Sequence, residues 1–172
     1  MKKYKLTNES IEHLGHTLYR IEALKGFGDI LKGDKGGYIE KEENLSQDGD
    51  AWVYGDARAY GNAEVSGNAR VYGDAEVYGD ARVYGDAEVY GNAWVYGDAW
   101  VSGDARVYGN AEVYGNARVY GDARVYGDAR VSSGYCFAYK EKGWNVTEVE
   151  SGNGILSIKD YIEPEEDRKV ED

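Results

Sequence analysis

Several residue types on which common fold and function classes depend are almost missing from this 172-residue chain: it has one Cys, one Pro, one Met, two Phe and two His. A single thiol, Cys136, excludes an intramolecular disulfide and points to a reducing compartment, the cytoplasm. No apolar run approaches the roughly 20 residues of a membrane-spanning helix. The opening MKKYKLTNES has charges but no apolar stretch or small-residue cleavage site behind it, so no secretory leader is expected. In the cytoplasm the sequon Asn145-Val146-Thr147 has no consequence. Positive charge is also scarce. Twenty Lys plus Arg against 32 Asp plus Glu leave a formal charge of −12, and a field of that sign repels phosphate backbones and anionic lipid. Broad nucleic-acid coating and membrane binding are not expected.

What the chain has instead is 24 Gly, 17 Tyr and 4 Trp, and they recur in a period of six. From Gly49 to Ser132 there are 14 uninterrupted hexads: Gly, Asp or Asn, Ala, a variable residue, Val, and Tyr or Ser, with Ala59 the one departure at the fifth place. Strand side chains alternate between faces, so Gly, Ala and Val fall on one side and the Asx, variable and Tyr positions on the other. Gly-Asp and Gly-Asn are turn chemistry and Ala-x-Val-Tyr suits a short strand, which together describe a solenoid. A six-residue period does not match 3.6, and a Gly in every hexad costs a helix about 1 kcal/mol each relative to Ala.

The spacing of Val and a small residue four later, as in Val71-Tyr72-Gly73-Asp74-Ala75, resembles the hexapeptide repeat of left-handed parallel β-helices. Tyr directly after Val departs from the enzymes of that superfamily, which usually carry a small residue there. The tandem GDARVYGNA text and the leader KGDKGGYIEKEENLSQ look like bacterial and phage-encoded repeat proteins, mostly of unassigned activity. The resemblance implies an all-β, single-stranded left-handed parallel β-helix of about five coils. Three hexads make one coil, so residue i stacks on i+18. One face then aligns Trp52, Arg70, Glu88, Arg106 and Arg124; the second Arg58, Glu76, Trp94, Glu112 and Arg130; the third Glu64, Arg82, Trp100 and Arg118. Opposite charges meet in most of these contacts, which supports the register in part, because any odd number of hexads per coil gives the same alternation.

Solenoid ends expose core and sheet edges, so caps are expected. The sequence divides into an N-terminal cap (1–36), a solenoid (37–138), a β-hairpin (139–162) and a disordered acidic tail (163–172). Within the cap, Thr7 to Leu14 is predicted to be a short helix, His16 to Leu24 a strand, and Gly26, Gly28 and Gly33 mark a hairpin toward Ile30 and Leu31. Ile39 and Leu45 occupy the Ala place of two atypical hexads. At the far end Tyr135 and Phe137 fall on the inward Ala and Val places, leaving Cys136 outward and inert.

Enzymes of the fold that the repeat resembles are chiefly acyltransferases with a His base and carbonic anhydrases with several zinc-binding His. Here His13 and His16 both precede the hexads and no extruded loop holds a substrate, so a non-enzymatic protein without catalytic residues, metal or cofactor is expected. The Asp and Asn rows satisfy backbone groups at the corners more readily than they hold Ca²⁺. Outward rings form rows, Tyr54, Tyr72, Tyr90, Tyr108 and Tyr126 on one edge and Tyr60, Tyr78, Tyr96 and Tyr114 on another. The first row, with Trp94, is the expected interface for a homo-oligomer, dimer or trimer, or for another partner. On the third edge the order Ser66, Tyr84, Ser102, Tyr120 leaves a notch at Ser102. With Trp100, Arg82 and Arg118 beside it, this is the expected site for a small aromatic or nucleotide-like ligand, the alternative function. An acyltransferase-like enzyme is the least favoured reading.

Overall fold

A computed structural model describes residues 1–138 and the short strands Asn145–Val146, Val149–Gly152 and Ile155–Ile158. The predicted acidic tail, 163–172, and the rest of the C-terminal segment lie outside the described residues. Each hexad contributes a two-residue strand at its variable and Val positions and turns at Gly-Asx. These strands stack in parallel into three faces, and the molecule is an all-β solenoid of about six turns. No α-helix occurs among the described residues.

Face one stacks Trp52, Arg70, Glu88, Arg106 and Arg124; face two stacks Arg58, Glu76, Trp94, Glu112 and Arg130; face three stacks Glu64, Arg82, Trp100 and Arg118. The i+18 register expected from the period is therefore the observed one. Up to three backbone bonds per hexad join successive coils, as where Arg70, Tyr72 and Asp74 donate to the carbonyls of Ala87, Val89 and Gly91 at 2.9, 3.0 and 2.8 Å. Every Ala and Val of the hexads is buried, forming one continuous core. The corner glycine is required twice over at Gly85: its φ is +73°, and a Cβ there would lie 2.9 Å from the Gly103 nitrogen one coil away.

The corner Asx residues do more than satisfy turns. Asn68 donates to Asp86 at 2.9 Å and Asn110 to Asp128 at 2.9 Å, each bond reaching the next coil, so an amide placed over a carboxylate replaces a like-charge contact.

The cap departs from the sequence expectation. Thr7 to Leu14 does not form a helix: the chain runs as strand β1 (Tyr4–His13), paired antiparallel with β2 (His16–Ala23), which pairs with β3 (Lys35–Ile39). Leu14 and Gly15, both at positive φ, make the hairpin turn between His13 and His16, and long-range pairing overrides any local helical tendency. β3 joins face two by pairing Tyr38 with Arg58 and Ile39 with Ala59, while Leu45 bridges to Val65. Ile39 and Leu45 thus sit at the Val place, not the Ala place, because the first coil is two residues longer; both are buried.

Trp52 holds an outward position yet is 1% exposed, because Tyr4 and Phe27 of the cap pack edge-on against it at ring distances of 6.0 and 5.3 Å. Lys3 closes the same end, donating to the carbonyls of Gly49 and Ala51 at 3.3 and 3.0 Å; burial pushes its ammonium down to about 8.

The other end also shifts phase. Tyr135–Ala138 pairs with face three so that Val119 meets Cys136 and Arg118 meets Tyr135, a spacing of 17. Cys136 therefore points inward and is buried, and Tyr135 points outward at 57% exposure, the reverse of the expected phase. The segment around Ser132-Ser133 is one residue short of a full hexad. Burial raises the Cys136 thiol to about 11, which makes it a poor nucleophile. Beyond, Asn145–Val146 extends face one, and Val149–Gly152 pairs antiparallel with Ile155–Ile158.

Candidate functional site

Two edges carry continuous aromatic ladders. Along the first, Tyr72, Tyr90, Tyr108 and Tyr126 stack face to face with centroids 4.7, 4.8 and 5.3 Å apart, and Tyr54 meets Tyr72 edge-on at 6.4 Å. Along the second, Tyr60, Tyr78, Tyr96 and Tyr114 stack at 5.1, 4.9 and 5.0 Å. These distances are the coil repeat itself, so the backbone sets the ring spacing.

Each ladder leans back over the face that precedes it. Tyr72 donates to Glu88 of face one at 3.2 Å, whereas Tyr60 and Tyr96 donate to Glu76 and Glu112 of face two at 2.9 and 3.1 Å. Burial, and then the neighbouring carboxylate charge, pushes the Tyr72 phenol up to about 12. Burial and the Glu112 bond raise Tyr96 further still. The residues assigned from sequence to one interface consequently divide. Tyr54, Tyr72, Tyr90, Tyr108 and Tyr126 border face one, and Trp94, 43% exposed between Glu76 and Glu112, belongs to face two with the other ladder.

The third edge has no ladder. Tyr84 turns edge-on to Trp100 at 6.3 Å, and Tyr120 turns edge-on to Tyr135 at 6.3 Å, so the rings on either side of Ser102 face different neighbours. Arg82, Trp100 and Arg118 do come together, with the guanidinium carbons 5.5 and 3.9 Å from the indole centroid. Beside them opens a groove of about 380 Å³ lined by Asp80, Arg82, Asp98, Trp100, Asn116 and Arg118. The corner Asx residues of this wall were not among the residues singled out from sequence, although the i+18 register already places them in one row.

A further cluster was missed because its partners lie far apart in sequence. At the hairpin tip His13 Nε2 lies 3.0 Å from Glu76 Oε2, and Glu76 also receives the Tyr60 hydroxyl at 2.9 Å and Arg58 Nη1 at 2.8 Å. His16 Nδ1 lies 2.9 Å from Glu40, whose carboxylate is held below its usual range by that bond and by the Gly61 N–H. Both imidazoles flank the Tyr60 ring, at 5.5 and 5.1 Å. No group of three or more His, Cys, Asp or Glu among the described residues is arranged to hold a metal ion. The arrangement ties the hairpin to face two and its tyrosine edge.

The family model described as "YdcK Beta solenoid repeat" matches residues 63–79, 87–103, 105–121 and 111–125. Over 62 residues the chain is 36% identical to the "Uncharacterized acetyltransferase YdcK" of Escherichia coli (strain K12); the match covers 31% of this chain and 19% of that protein. The chain therefore spans about a fifth of the length of this relative. The family-model likeness is to a β-solenoid repeat.

Proposed function

We propose that the protein is a non-enzymatic β-solenoid scaffold that associates, with copies of itself or with another protein, through face two. The observation that carries this reading is Trp94. It is 43% exposed in the middle of a face whose neighbouring tyrosines are already stacked on one another. Large, rigid rings that lose little side-chain freedom on docking are characteristic interface anchors. The ladder beneath holds the surface in one shape, which lowers the ordering cost of association. In this reading the protein works in the cytoplasm of a bacterial cell, as a dimer or trimer.

Light scattering on the purified chain tests it. A dimer or trimer that becomes monomeric in Trp94→Ala, with the melting temperature unchanged, is the expected outcome. A monomeric wild type that also captures no partner from its host overturns the proposal.

The relative's name suggests acetyl transfer as a rival, and His13, held by Glu76, is the one imidazole fixed against a buried carboxylate. Against it, no loop leaves the coils between residues 49 and 132 to build a substrate cleft. Turnover of acetyl-CoA that disappears in His13→Ala would favour the rival.

A further inference from the structure

We infer that the groove on face three is a binding site for a small zwitterion of the α-amino-acid class, separate from the association surface of face two. Elsewhere in the stacks every arginine but Arg124 has a carboxylate partner among the described residues. Arg58, Arg106 and Arg130 each reach a glutamate of the adjacent coil, at 2.8, 3.6 and 3.1 Å. On face three the carboxylate is distant or missing: Arg82 has Glu64 only at 3.8 Å, and Arg118, between Trp100 and Tyr135 in its stack, has no ion pair among the described residues. Arg118 Nη1 is buried without any hydrogen-bond partner. A guanidinium without a carboxylate of its own is suited to one brought by a ligand, bound through its nitrogens other than the buried Nη1.

The same groove carries the complementary charge two residues earlier in each hexad. Asp80 accepts one bond from Asn62 at 3.1 Å, and the Asp98 carboxylate has no hydrogen-bond or ion-pair partner among the described residues. No ion pair joins these carboxylates to Arg82 or Arg118, although all of them line the same groove of about 380 Å³. Cations and carboxylates that line one groove without pairing with each other match a molecule that brings both charges at a short separation. Its carboxylate would lie on Arg118 and its ammonium against Asp98 and Asp80. The volume falls within the range typical of small-molecule sites, roughly 300–1,000 Å³.

Trp100 decides against a flat ligand. Guanidinium groups already cover its ring from Arg82 and Arg118, so a base or other planar anion finds no open indole face, whereas a compact zwitterion needs only the rim. The nucleotide-like ligand expected from the notch at Ser102 therefore gives way to one recognised by its paired charges.

Calorimetry on the full chain, with the twenty L-amino acids as probes, tests the inference. Propionate and propylamine serve as the two half-ligands and AMP as the flat anion. Saturable binding of at least one amino acid is expected, with neither half-ligand binding alone. Arg118→Gln and Asp98→Asn should each weaken it about tenfold or more, the loss of one charge-assisted contact. Asp98 is exposed, so Asp98→Asn should keep the wild-type melting temperature; Arg118→Gln also loses its contact with the Trp100 ring and should melt slightly lower, and Trp94→Ala should bind as the wild type does. Absence of amino-acid binding up to about 10 mM, preference for AMP, or affinity unchanged in both variants overturns the inference.

Discussion

In the coils an interior residue such as Ala87 has the same surroundings as Ala69 and Ala105 one turn away, whereas in the cap Lys3, Tyr4 and Phe27 make contacts that occur nowhere else in the molecule. The difference teaches where stability is concentrated. A solenoid adds many equal nearest-neighbour terms, so no single rung is decisive. A cap must close one open end with a few side chains, and each of them carries more.

The sharpest way to break that comparison is Trp52→Ala. This ring is buried between the first coil and two cap aromatics, and its removal should destabilise by about 3–5 kcal/mol in denaturant unfolding. A loss no larger than that of a mid-solenoid substitution would show that the cap is dispensable. Next in size, Ala87→Leu overpacks an interior with no exposed surface and should cost about 1–3 kcal/mol, with Ala69→Leu giving a similar value if the coils are equivalent. An unchanged melting temperature would place Ala87 outside the core. Tyr78→Ser interrupts two stacked contacts in the second ladder and should cost about 1–2 kcal/mol. Arg106→Gln, which removes one exposed ion pair at 3.6 Å, should change stability by less than about 1 kcal/mol.

Titration sharpens the comparison further, since cap and ladders respond on opposite sides of neutrality. Burial raises the phenols of Tyr54, Tyr60, Tyr72, Tyr78, Tyr90 and Tyr96, with Tyr72 at about 12, above the ordinary value of about 10. Their contribution is fully present below the unfolded value and is lost as pH rises from about 10 through about 12. Tyrosinate absorbance should therefore develop late, together with loss of structure; all tyrosines ionising together near the ordinary value would count against the ladders. Glu40 is the converse case. The His16 bond depresses its carboxyl, so its contribution is present above the ordinary carboxylate range and fades as pH falls through the depressed value. Acid should loosen the hairpin tip before the coils, which amide exchange across residues 11–17 against 85–107 can follow.

The register, the inward Ala and Val, the outward columns and the two tyrosine rows were legible in the sequence. The coil repeats every three hexads, and strand alternation then assigns each side chain to a side. The Arg82, Trp100 and Arg118 column was legible for the same reason. The split of Trp94 from the Tyr72 row was not, because it depends on which way the phenols lean, and hydrogen bonds to Glu88 or Glu112 decide that.

What the sequence determined by itself is everything that follows from a local period: the solenoid, its i+18 stacking and a core of small residues. Only the tertiary structure decided the ends and the sites. β1 is a strand because β2 pairs with it, the first coil is long enough to put Ile39 opposite Ala59, and the last described coil is short enough to turn Cys136 inward. His13 meets Glu76 across 63 residues of sequence, and Asp98 and Arg118 line the same groove. The physical reason is one of range. Alternation and turn chemistry act between neighbours in the chain, while phase shifts, burial of an outward Trp52 and unpaired charges lining one groove exist only once distant segments are in contact.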